Sequence, residues 1–177
     1  SQLQIILGRP ACAPSDPEAP ALALAVRLLS DRLAGQLRET QGLAYSVGAQ
    51  IEFAPDFGWL VCSMGTAPEN REEALSGMRL QMDRLVSEPP DEHELESAKN
   101  QMIGRFLMRR LARENQCYYM AQGEFLGLGY NNDAEFEARL RKVSAADVAR
   151  VAEKFITGDS WILATAGPKE KMGSDSN

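Results

Sequence analysis

The chain has 177 residues, 44% of them hydrophobic and 25% charged, with a formal net charge of -6. At that length folding buries roughly 70% of the unfolded chain's surface, enough for an ordinary core without staples. The negative balance argues against nucleic-acid phosphate or anionic lipid as the main partner, and no apolar run reaches the ~18 residues of a membrane span.

Leu3, Ile5 and Leu7 sit at alternate positions before Gly8 and Pro10, which predicts a first strand running into a loop. Asp16-Pro17-Glu18 then opens a helix: aspartate caps free amides, proline suits the first helical position and glutamate favours the positive end of the helix dipole. Leu22, Val26, Leu29, Leu33 and Leu37 form one apolar stripe on it, and Gly42 after Gln41 supplies a left-handed end. From Ala44 the period changes to two. Tyr45, Val47, Ala49, Ile51 and Phe53 face one way and the residues between them the other, which predicts a half-buried strand. Turn chemistry from Ala54 to Gly58 leads into a second strand from Trp59 to Met64, giving an antiparallel hairpin.

A helix opened by Pro68, Glu69, Glu72 and Glu73 buries Leu75, Met78, Met82 and Leu85 before Pro89-Pro90 stops it. Asp91 with Glu94 resembles a capping box for the next, whose stripe includes Leu95, Ala98, Met102 and Phe106. Residues from Asn115 to Leu126 form a further helix ending at Gly127 and Gly129, and Glu135 to Arg141 a short one. Ser144 with Asp147 opens the last, which carries Val148, Val151 and Phe155. Trp161 to Ala166 reads as a closing strand. Strands and helices are thus partly segregated, which predicts an α+β fold with an antiparallel sheet covered on one face by helices. Residues 1–167 form one domain in this reading, and 168–177 a polar, disordered tail. No signal-peptide pattern precedes the first strand, and Ser1 heads the chain without a methionine, as in a piece of a longer polypeptide. The compartment is left open, the cytoplasm being slightly favoured.

Cys12, Cys62 and Cys117 are odd in number and widely spaced, which suits reduced, structural thiols better than a disulfide framework or a chelate. His93 is the only histidine and lies between Glu92 and Glu94 in the first turn of a helix, where solvent exposure is the default. Arg105, Arg109 and Arg113 recur every four residues, a basic stripe read as a solvated helix face. Tyr118, Tyr119 and Phe125 are read as core, or else as a docking surface.

The segment Leu37-Arg38-Glu39 through Gly42-Leu43-Ala44-Tyr45-Ser46 resembles the arginine and tyrosine segment of pitrilysin/insulinase zinc metallopeptidases, and specifically their C-terminal, non-metal-binding domain. Thr66 with Pro68-Glu69, the run from Glu94 to Lys99, and Val143-Ser144 with Asp147-Val148 match the same pattern in the same order. The inverted His-x-x-Glu-His zinc motif is absent. The resemblance implies the mitochondrial-processing-peptidase-like metallohydrolase fold. It also implies that such a domain is silent alone, binding no metal, and closes a peptide-cleaving chamber with a homologous zinc-bearing domain, fused or separate. Zinc is expected in that partner and none in this chain.

Arg38 and Tyr45 match the residues that meet substrate and stabilise the oxyanion formed when zinc-bound water attacks a peptide carbonyl. From its spacing alone, Arg38 is read first as an arginine in the last turn of its helix that faces the helix carbonyls. Tyr45 shares the inward parity of Val47 and Ile51, so its ring belongs either to the core or, at the strand's first position, to a cleft. Some members of the fold family are non-catalytic scaffold subunits, which is the alternative function.

Overall fold

The computed structural model describes residues 2–168, so the expected tail lies outside them apart from Pro168. Four strands, β1 (Leu3–Ala11), β2 (Ser46–Phe53), β3 (Gly58–Thr66) and β4 (Ile162–Ala166), form one antiparallel sheet in the order β2-β3-β1-β4. Period-two patterning sets the register. Ile5 lies opposite Met64 and Leu7 opposite Cys62, and Val47 and Ile51 meet Met64 and Leu60, so one face collects the buried side chains. β1 does not turn at Gly8–Pro10 as expected but continues to Ala11, paired throughout with β3. Pro10 lies beyond the reach of β4, whose pairing ends at Gly8, and proline is tolerated at such an edge position.

Among the described residues six α-helices lie between the strands: α1 (Ala19–Leu33), α2 (Arg71–Ser87), α3 (Glu92–Arg109), α4 (Arg113–Phe125), α5 (Phe136–Arg141) and α6 (Ala145–Phe155). α1 lies on the apolar face of the sheet, with α6, α2 and α3 around it. Its expected stripe is only one side of what it buries: Leu24 and Leu28 are covered as fully as Leu22 and Leu29, because sheet and helices enclose it from opposite sides. Asp16 accepts from the Glu18 amide at 2.8 Å, so it ties the turn before α1 rather than capping the helix itself.

Arg32 joins three helices. From α1 it forms a two-pronged pair with Glu94 of α3, both distances 2.8 Å, and donates to the Glu88 carbonyl just past α2 at 2.9 Å. Planar recognition of this kind suits a guanidinium and not an ammonium. Asp91 caps α3 by accepting from the Glu94 amide at 2.7 Å, and Ser144 and Asp147 make a reciprocal capping box on α6.

Candidate functional site

The helix that begins with α1 does not end in α form. Residues Ala34–Thr40 wind into a π-helical turn, in which the Gln41 amide reaches back five residues to the Gln36 carbonyl at 3.0 Å and the Thr40 hydroxyl to the Gly35 carbonyl at 2.8 Å. The wider turn carries Leu37 to the core side, where it is fully buried. Opposite it on α2 stands Gly77, at which a Cβ would come within 2.6 Å of the leucine's Cδ2. A side chain there would displace the anchor.

From this anchor the chain reverses. Gly42 adopts φ +66, as its expected role as a left-handed end requires. The amides of Leu43 and Ala44 both donate to the Leu37 carbonyl, at 2.8 and 3.1 Å. Thr66, completely buried at the end of β3, donates its hydroxyl to the Leu43 carbonyl at 2.7 Å, and the Tyr45 amide bonds the Gly65 carbonyl at 2.8 Å. The helix end, the loop and the sheet are thereby joined through one short network, with Arg38 following Leu37 on one side and Tyr45 following Ala44 on the other.

Both side chains reach solvent. Arg38 is exposed and its guanidinium pairs at 3.0 Å with the neighbouring Glu39 carboxylate, not with the helix carbonyls. Tyr45 lies just before β2 and is 67% exposed, so it is not a core tyrosine. The inward parity from Val47 onward does not extend to it because the strand begins one residue later. A groove of about 650 Å³ runs between β2 and the α3–α4 region, lined by Glu52, Arg105, Arg109 and Tyr119 among others, and neither Arg38 nor Tyr45 borders it. What the pair can offer is two outward donors, one charged and one neutral.

Thr66 is the residue that sequence reasoning underused. It was legible as part of a helix opening, whereas its structural part is to hold the loop between the two candidate residues. A threonine closing a strand just before a proline-led helix is the available signal, yet burial of its hydroxyl against a carbonyl 23 residues away is a tertiary fact.

The residues present do not fit a zinc ion. His93 is exposed on α3, and no group of three His, Cys, Asp or Glu side chains among the described residues stands close enough to hold a metal. Cys12 and Cys62 are buried free thiols, pushed up to about 11 and about 12 chiefly by desolvation, far from the thiolate a metal needs. Cys117, in contrast to the structural role expected of it, is exposed on α4. Tyr118 and Phe125 are exposed too, which overturns the reading of them as core; Tyr119 alone of the three is half-buried. The basic stripe is also divided, since α3 ends at Arg109 and Arg113 begins α4.

Residues 1–102, more than half of the chain, match the sequence family described as the peptidase M16 inactive domain. An uncharacterized zinc protease of Streptomyces coelicolor is 27% identical over 98% of this chain, which spans only 39% of that protein's length. The crystal structure of a peptidase M16 inactive domain from Pseudomonas fluorescens superposes with a TM-score of 0.85 at 20% identity, covering 96% of this chain and 42% of that one. A chain of Complex III2 from Candida albicans superposes at 0.82 with 13% identity, covering 94% and 43%. At such identities the structural likenesses establish the α+β fold alone.

Proposed function

This chain belongs to the family of peptidase M16 inactive domains, and from that membership we propose that it is the metal-free, substrate-binding half of a zinc-dependent endopeptidase. In this reading it closes a peptide-cleaving chamber with a homologous domain that bears the zinc motif. The observation that carries the reading is the pair Arg38 and Tyr45, exposed on either side of one hydrogen-bonded junction. A guanidinium presents a planar fork of donors and a phenol hydroxyl donates along one direction. Together they suit an oxygen that gains negative charge as a peptide carbonyl is attacked. No metal step is assigned to this chain, whose side chains do not fit one.

The test is made on the complete peptidase, in which this chain works beside its zinc-bearing half. Arg38→Ala and Tyr45→Phe should each depress peptide turnover by about 10²-fold, the cost typical of losing one donor to a developing oxyanion, while bound zinc stays unchanged. Normal turnover in both variants removes the proposed roles.

A second reading is a non-catalytic scaffold of the same fold, a fold that a chain of Complex III2 also has. It requires that assembly with the partner create no peptidase activity, and it leaves the two outward donors without a task.

A further inference from the structure

We propose that the C-terminal part of α3, all of α4 and the loop to Asn131 form the face on which the zinc-motif-bearing half docks; this rests on the two-part peptidase reading above. The leading observation is α4 itself. Of its thirteen residues only Tyr119 and Gly123 turn away from solvent. A helix this short is marginal in water without packing, and helices in globular proteins normally cover their apolar side. Here Tyr118 is 61% and Phe125 68% exposed, and Leu107, Met108, Leu111 and Tyr130 continue the apolar surface around them. An apolar patch of this kind marks an interaction site.

The helix is nevertheless held in a defined place. The Arg110 guanidinium lies between the rings of Phe106 and Tyr119, 3.6 and 4.0 Å from their centroids, and pairs with Asp133. Gly123 packs so closely on the Gly129 carbonyl that a Cβ would approach its oxygen to 2.7 Å. One side of α4 is therefore fixed to its own domain, and the remaining surface is presented outward.

Charge and length identify the occupant. Arg105, Arg109 and Arg113 border the patch and have no ion pair among the described residues, although the chain as a whole is acidic. A second copy meeting this face across a two-fold axis would bring the same arginines together, which is unfavourable. A partner with an apolar centre and an acidic rim fits instead. This chain spans only 39% of the Streptomyces zinc protease, so in a polypeptide of that length a larger remainder stands available to cover the face. That remainder is, on the reading above, the zinc-motif half.

Hydroxyl-radical footprinting of Tyr118, Phe125 and Met108 tests the proposal, comparing this chain alone with the polypeptide that carries both halves. Modification should fall at least about fivefold in the complete protein, as full burial of an aromatic anchor requires. With the halves supplied separately, Phe125→Asp and Arg109→Glu should weaken association at least about tenfold, and added salt should weaken it further. The melting temperature of the lone chain should not change, since both positions are exposed in it. Equal modification in the two forms overturns the proposal. Protection that grows with the concentration of the lone chain would mean a second copy, and protection only on anionic phosphatidylserine vesicles a lipid surface; either result also overturns it. Lost turnover in Arg38 and Tyr45 variants without protection of α4 would spare the functional reading and sink the docking face, and the opposite pattern would do the reverse.

Discussion

Thr66 shows how much one hydroxyl can decide at the residue scale. It is the buried donor for the Leu43 carbonyl, and Leu43 leads through Ala44 to Tyr45. Thr66→Val keeps the shape and removes the donor, so a carbonyl is left without its partner at a cost of about 1–3 kcal/mol. Urea unfolding should register that loss and should recover most of it in Thr66→Ser, which restores the hydroxyl. If Thr66→Val is as stable as the parent chain, the network does not hold the loop. The same residue marks a limit of sequence reading. Arg38 and Tyr45 were legible because a contiguous segment carries them, whereas the bond that fixes them crosses from one strand end to a distant loop.

Most elements were legible where local chemistry is strong. The hairpin of β2 and β3, the proline-led start before α2, the one-sided Asp91 cap and the Ser144–Asp147 capping box need only short-range information, and they stand within a few residues of where patterning places them. The π-helical turn was not legible. Leu37 continues the four-residue stripe of α1, so nothing in the spacing distinguishes a widened turn from a continued helix; the distinction lies in how Leu37 fits against Gly77. β4 was placed correctly in the chain, yet all its residues are exposed, because the helical layer does not reach that edge of the sheet.

The capping box of α6 ties the stability of that helix to pH. The Ser144 hydroxyl and then Arg150 hold the Asp147 carboxyl down to about 2, from an ordinary 3.8. A carboxyl depressed in the folded state contributes stability that is full above 3.8 and is lost as pH falls toward 2. Ser144→Ala should therefore cost about 1 kcal/mol near neutral pH and flatten the decline of melting temperature between pH 4 and 2, on the order expected for an N-cap. An unchanged acid limb in Ser144→Ala would show that the box contributes nothing.

For the whole molecule, the decisive feature is a division of chemistry. The sheet and its central helix α1 build a stable support, the junction after α1 sets two donors outward, and no metal-binding cluster stands among the described residues. The absence of the zinc motif was plain in the sequence, since a single histidine cannot form it. The exposed character of α4 was not, because its Tyr118, Tyr119 and Phe125 have the composition of a buried helix. Only the location of the neighbouring elements shows that, among the described residues, nothing covers Tyr118 and Phe125.

A double-mutant cycle on peptide turnover by the complete peptidase tests the central claim most directly. If Arg38 and Tyr45 act on one carbonyl oxygen, Arg38→Ala and Tyr45→Phe should each lower kcat by about 10²-fold with zinc content intact, and the double variant should lose less than the product of the two, because groups sharing one partner do not add. Full kcat in either single variant, or losses that multiply without coupling, would contradict the account.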